Sequence, residues 1–240
     1  MSVQEIDRGN GIAEIVLKDD GNGIKLTTAQ IRELNGLVRA AHDPGRLVTI
    51  IRQEGGDFCL GRVPDLDEHG EPAIYELLAG TTDLWASVPG VTLAAPSGRV
   101  EGFGVGFVMQ ADISVVAEGS TFRFPEIEAG FAPAIVAAWL VKRLSWQTIA
   151  PWLLTAAPVT ADVALGHGLI SEVVPAAAQP GRVDEFVKTL SGLNPDALRE
   201  VKRFSRAALE NPASTWVQSA VDSLVRQHVQ EVEKGTAHRA

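Results

Sequence analysis

The run Ala95-Pro96-Ser97-Gly98-Arg99-Val100-Glu101-Gly102-Phe103-Gly104-Val105-Gly106-Phe107-Val108-Met109-Gln110-Ala111-Asp112-Ile113 joins two short apolar segments, Val91–Ala95 and Asp112–Val116. Both segments read as strands, and their lack of polar alternation suits strands covered on both faces. The glycines at 98, 102, 104 and 106 allow close backbone approach between them. Gly102-x-Gly104-x-Gly106 is not a dinucleotide fingerprint, because it lacks the G-x-G-x-x-G spacing and the later acidic partner.

Working outward, Ile12–Leu17 reads as a strand followed by a turn over Asp19–Gly23. Thr27 and Gln30 stand at capping-box spacing and open a helix with Ile31, Leu34, Leu37, Val38 and Ala41 on one face. Asp43-Pro44-Gly45 stops it. Leu47–Ile51 is a further apolar strand, and a helix from about Ala73 to Ser87 follows. Such alternation implies right-handed crossovers and an α/β core. From Ala134 the segments turn helical: Ala134–Leu144, Gln147–Leu154, Thr160–His167, Val183–Leu190, Ala197–Leu209 and Thr215–Glu233, broken by one strand, Leu169–Val174. Pro195 and Pro212 fall at helix starts. With no repeat and no polar linker, the expectation is one continuous domain: a core over 1–190 and a helical C-terminal region over 191–240.

The 240 residues suit one large domain, and the net charge of −9 disfavours a basic nucleic-acid surface. No apolar run reaches the ~18 residues that span a bilayer. The N-terminal residues lack the basic and apolar regions of a secretion signal. The lone cysteine, Cys59, makes no internal disulfide and no cysteine-based zinc site. The histidines show no metal-ligand spacing, so no metal is expected. A cytoplasmic protein without nucleic-acid or membrane partners is the expectation.

Four segments, taken in order, resemble the crotonase (enoyl-CoA hydratase/isomerase) superfamily. Asp57-Phe58-Cys59-Leu60-Gly61-Arg62 is similar to its F-C-A-G-x block. Ala95 to Ile113 fits A-x-N-G-x-x-x-G-G-G-x-x-x-x-x-x-x-D-I without a gap. Phe122 to Pro133 is similar to F-x-x-P-E-x-x-x-G-x-x-P, and Ala161 to Pro175 to A-x-x-A-x-x-x-G-L-(V/I)-x-x-V-V-P. The resemblance implies a ββα spiral core with a helical C-terminal trimerisation region, and a homotrimer or homohexamer. It implies an acyl-CoA substrate, with coenzyme A carried by the substrate and no separate cofactor. It also implies a thioester carbonyl polarised by two backbone N–H groups, which fall on Arg62 and Phe103. Gly61, Gly102 and Gly104 flank those donors, and a helix opening at Gly104 adds positive potential there. Leu60, Cys59, Lys25, Gly106 and Phe131 complete the implied substrate-binding set.

Hydratases of the family use two glutamates. The second falls on Glu126 and is kept; the first falls on Gly106, which transfers no proton. Single-carboxylate relatives include hydratase-lyases acting on aromatic acyl-CoAs and double-bond isomerases; in the isomerases one glutamate moves a proton between carbons of a dienolate. Phe124, Ile127 and Phe131 are expected to lift the proton affinity of Glu126 by desolvation. Ser97, Arg99, Glu101 and Arg123 depart from the family pattern. Arg99, Glu101 and Arg123 suggest a charge network, with Glu101 a candidate second carboxylate. Arg62 is read two ways: a side chain snorkelling outward, or one holding a substrate phosphate or carboxylate. The acidic loop Asp65–His69 is read as a solvated lid or an alternative acid or base. Lys25 stands one position from the expected CoA contact. Cys59 reads as packing, and Trp139, Trp146 and Trp152 as helix or subunit packing.

Enoyl-CoA hydration or double-bond isomerisation is thus expected, with Glu126 moving the proton. C–C hydrolysis of retro-Claisen type, decarboxylation, and a silent acyl-CoA-binding subunit are the alternatives.

Overall fold

The computed structural model describes residues 2–19, 23–63, 71–210, 221 and 225. The chain opens with a hairpin, β1 (Ser2–Gly9) and β2 (Ile12–Lys18), closed by left-handed Gly9, Asn10 and Gly11. Helix α1 (Thr28–Ala40) follows. The capping box is in place: Thr27 Oγ1 accepts from the Gln30 amide at 3.3 Å, and Gln30 Oε1 accepts from the Thr27 amide at 2.9 Å.

Three turns of one repeating pattern come next. Each sends a longer strand into one sheet and a short strand into a second, then continues into a helix. The first is β3 (Val48–Glu54), β4 (Cys59–Leu60) and α2 (Glu71–Ser87); the next is β5 (Val91–Ala95), β6 (Arg99–Glu101) and α3 (Phe103–Gln110). The third is β7 (Ile113–Ala117), β8 (Thr121–Arg123), a 3₁₀ turn over Pro125–Ala129 and α4 (Ala134–Leu140). α5 (Trp146–Thr155), β9 (Val159–Thr160), α6 (Ala161–Gly166), β10 (Glu172–Val174), α7 (Gln179–Ser191) and α8 (Pro195–Glu210) complete the described chain. The six-stranded sheet runs β1-β2-β3-β5-β7-β10, parallel from β2 onward; the four-stranded sheet runs β4-β6-β8-β9. This is the ββα spiral.

Apolar strands without alternation are explained by two cores, one on each face of the larger sheet. Val48, Ile50, Val91, Leu93 and Val115 face α7, which returns Val183, Val187 and Leu190. Ile51, Ala94 and Val116 point the other way, into the core shared with the second sheet and the earlier helices. Since side chains alternate across a strand, both sets must be apolar.

Several sequence-based boundaries shift. β1 carries too many charged residues to look like a strand, yet its pairing with β2 makes it the sheet edge. α1 ends at Ala40, before the Asp43-Pro44-Gly45 stop, and the Ala134–Leu144 helix ends at Leu140. The Leu169–Val174 strand shrinks to Glu172–Val174. Pro195 does open α8, whereas the Thr215–Glu233 helix falls outside the described residues apart from 221 and 225.

Candidate active site

The second sheet builds the site. β4 and β6 run parallel with Leu60 opposite Glu101. Two residues beyond that pair come Arg62 after β4 and Phe103 after β6, so both donors expected from sequence follow the same end of the sheet.

Each is fixed by its backbone. Gly61 is left-handed, with φ +86°. Around Arg62, the Leu60 amide donates to Ile24 O at 2.7 Å, Leu26 donates to Gly61 O at 3.0 Å and Val63 donates to Leu26 O at 2.9 Å. Lys25, between Ile24 and Leu26, is exposed beside this segment. Phe103 is the first residue of α3, where amides have no intrahelical acceptor and the helix dipole is positive. The helix opens at Phe103 with Gly102 as its cap, one position before the expected start.

Close packing explains three glycines. A Cβ on Gly104 would stand 2.5 Å from Cys59 Cβ, so the start of α3 can lie on β4 only without a side chain there. Gly102 has φ +52°, and a Cβ on it would stand 2.7 Å from Glu126 Oε1. The carboxylate of Glu126 therefore rests against the residue preceding the Phe103 amide. A Cβ on Gly106 would stand 2.9 Å from Thr82 Cγ2 of α2. Thr82 is buried and its hydroxyl donates to Ala79 O at 2.9 Å, so the space where hydratases of the family carry their first glutamate is already filled.

Glu126 heads the 3₁₀ turn after β8. Burial is the main cause that raises its proton affinity above the ordinary carboxylate range; the charge of Glu101 adds to it, and the Glu126 backbone N–H opposes it. Its Oε2 is buried and makes no hydrogen bond among the described residues. Of the three apolar neighbours expected to desolvate it, Phe124 is buried, whereas Ile127 is exposed and Phe131 is 57% exposed. Phe131 stays tied to the turn through its amide, which donates to Glu126 O at 3.0 Å.

Other residues take different places from those expected. Cys59 is fully buried behind the wall of the site, its thiol pushed up to about 12 by burial. The Arg62 side chain is half-buried, its guanidinium 5.7 Å from the ring centre of Tyr75 on α2. Arg99, Glu101 and Arg123 do not form one hydrogen-bonded network. Arg99 pairs with Asp57 at 2.8 Å, and Arg123 pairs with Glu128 and donates to Ala156 O at 2.9 Å. The loop Asp65–His69 lies outside the described residues. Trp139 and Trp152 are half-buried, Trp152 packing against His167, while Trp146 is 54% exposed. Sequence reasoning missed Thr82, whose only signal was the glycine facing it. A separate cleft of about 540 Å³, lined by Arg8, Glu14, Arg52, Gln53, Ser97 and Gln179, opens beside α7. Its guanidinium groups are already paired, Arg8 with Glu14 and Asp184 and Arg52 with Glu14.

Comparison with known proteins agrees with the fold. The family model for enoyl-CoA hydratase/isomerase matches residues 7–238. Enoyl-CoA hydratase domain-containing protein 3, mitochondrial, of Xenopus laevis is 27% identical over 176 residues, covering 71% of this chain and 60% of that protein. The chain thus spans less than two thirds of that relative's length. A probable enoyl-CoA hydratase, echA6, of Mycobacterium leprae is 28% identical over 207 residues, covering 82% and 80%. The crystal structure of human enoyl Coenzyme A hydratase domain-containing protein 3 superimposes with a TM-score of 0.87 at 21% identity, covering 100% of this chain and 98% of that one. The chain belongs to the enoyl-CoA hydratase/isomerase family of the crotonase superfamily.

Proposed function

We propose that this protein isomerises the double bond of an enoyl-CoA or a related activated acyl thioester, with Glu126 as the single proton carrier. The observation that carries the reading is Gly106: it brings no carboxyl group, and a Cβ there would stand 2.9 Å from Thr82 Cγ2, so a side chain has no room at its root. Two-glutamate hydration has no partner there, whereas proton shuttling needs one carboxylate. In this scheme the thioester oxygen lies between the Arg62 and Phe103 amides. Glu126 takes a proton from the α-carbon, and the C–H electron pair moves through the carbonyl to give a dienolate. The same carboxyl then returns the proton to the γ-carbon, and the double bond ends one place nearer the thioester. Donors fixed in advance matter here, since losing one costs about 3 kcal/mol of transition-state stabilisation in enzymes of comparable design. The raised proton affinity of Glu126 suits a group that must both take and release a proton.

Self-association as a homotrimer or homohexamer is part of the proposal. Its support is the apolar surface left in the C-terminal half: Val201 is 64% and Leu209 82% exposed on α8. Light scattering of the purified protein measures the subunit number.

The test uses a β,γ-enoyl-CoA and follows the absorbance of the conjugated product. Glu126→Gln is expected to lower kcat by roughly 100-fold or more with little change in KM. Wild-type turnover by that variant overturns the reading. Cleavage of a free β-diketone without CoA would instead identify a C–C hydrolase. Thermal stabilisation by acyl-CoA with no turnover would identify a binding subunit.

A further inference from the structure

The turn that carries Glu126 places no side chain of its own fully in the core. From Pro125 to Ala129 no residue is fully buried, and Ile127, Glu128 and Ala129 are exposed. Burial of Phe124 anchors the entry to the turn, but beyond it apolar packing does not fix where the turn stands. Its inner hydrogen bonds, such as that of the Phe131 amide to Glu126 O at 3.0 Å, set its shape and not its place.

Arg123, the last residue of β8, makes the contacts that place it. Its carbonyl accepts from the Gly102 amide at 2.9 Å, and Gly102 is the residue against which the Glu126 carboxylate rests. Its guanidinium pairs with Glu128 inside the turn. Its Nε donates to Ala156 O at 2.9 Å, at the end of α5, the helix packed against the turn. Ala156 is left-handed, with φ +53°, a conformation that few residues with a Cβ adopt. It is also buried, so its carbonyl needs a partner from the protein, and Arg123 supplies one.

We propose that Arg123 is a positioning residue for the proton carrier: its guanidinium joins the Glu126 turn to the end of α5 and so fixes the carboxyl against the glycine that precedes the Phe103 amide. The inference rests on the role given to Glu126 above. A guanidinium suits the task because its planar fork presents several donors in fixed directions, here one to a carboxylate and one to a carbonyl. A half-exposed ion pair adds little to the stability of the whole chain, so its effect is local. It removes the freedom of the turn to slide past β6. Proton transfer is sensitive to such freedom, since a displacement of about 1 Å can cost roughly 100-fold in rate.

Arg123→Met keeps the apolar stem and removes the donors. With a β,γ-enoyl-CoA it is expected to lower kcat roughly 10- to 100-fold, with KM within about twofold of the wild type. Glu128→Ala cuts one arm of the clamp on its exposed side and should lower kcat by a smaller factor. Arg123→Lys reaches one acceptor at a time and should fall between Arg123→Met and the wild type. The decisive measurement repeats Arg123→Met in the Glu126→Gln background: with no proton carrier to place, the residual kcat should change by less than about threefold. An equal loss in both backgrounds shows that Arg123 only supports the fold, and wild-type kcat in Arg123→Met shows that the turn needs no clamp; either result overturns the proposal. Should Arg123→Met fail to fold, Glu128→Ala is carried through the same two backgrounds and read in the same way. Should Glu126→Gln alone retain full turnover, the proton-carrier reading fails and takes this one with it.

Discussion

Replacing Gly106 tests the contact that separates this site from a two-glutamate one. In Gly106→Ala the new Cβ stands 2.9 Å from Thr82 Cγ2, well inside normal contact. Thr82 cannot simply rotate, because moving Cγ2 aside also moves the hydroxyl that donates to Ala79 O at 2.9 Å. Overpacking of this kind costs about 1–3 kcal/mol. Alanine in place of glycine inside a helix returns about 1 kcal/mol. The wild-type background should therefore show a loss of ~0–2 kcal/mol from Gly106→Ala. Thr82→Ser removes Cγ2 and keeps the hydroxyl; in that background the same substitution should gain up to ~1 kcal/mol. Urea unfolding of the four proteins, analysed with a common m-value, gives the coupling energy directly. An equal effect of Gly106→Ala in both backgrounds would show that Thr82 does not fill this space, and the exclusion of a second glutamate would go with it.

Gly102→Ala combines a left-handed backbone with a Cβ 2.7 Å from Glu126 Oε1, so it should displace the carboxylate and lower kcat by roughly 100-fold or more, as measured with a β,γ-enoyl-CoA. Glu126 binds its proton more tightly folded than unfolded, so it favours the folded state below the unfolded pKa and loses that contribution as pH rises through the folded one. Unfolding curves should accordingly show the stability of wild type relative to Glu126→Gln falling as pH rises from about 4 to 7; a rising difference would mean the carboxylate is stabilised as an anion. Cys59, with its thiol pushed up to about 12 and its side chain buried, should resist a thiol reagent in the native protein and react fully in urea. Rapid native labelling would place it in an open pocket.

Elements with a strong local signal were legible in sequence. Val91–Ala95 is a strand in both readings, because its residues are apolar on both faces and meet a core on each side. The capping box of Thr27 and Gln30 marks α1, since its two side chains satisfy each other's backbone within three residues. β1 was hidden because Gln4, Glu5, Asp7 and Arg8 belong to an edge whose pairing comes from β2, not from its own composition. At the site, the glycines at 102, 104 and 106 announced close approach, but their partners are distant in sequence: Glu126, Cys59 and Thr82. Nothing local to Arg99 or Arg123 reveals that Asp57 and Glu128 take them out of a shared network.

The parallel pairing of Leu60 with Glu101 has a consequence for how such a site can vary. Each of the two proposed donors is reached by counting two residues from that pair, and an amide is supplied whatever side chain stands there. The amides at Arg62 and Phe103 are thus set by chain length and not by side chain, the Phe103 ring being held for packing against Phe107 in the core. One inserted or deleted residue in either strand would carry a donor about 3.3 Å along its axis and turn it toward the opposite face. Diversity at this site is to be sought in residue identity, and its boundary in the number of residues that separate each donor from the paired strands β4 and β6.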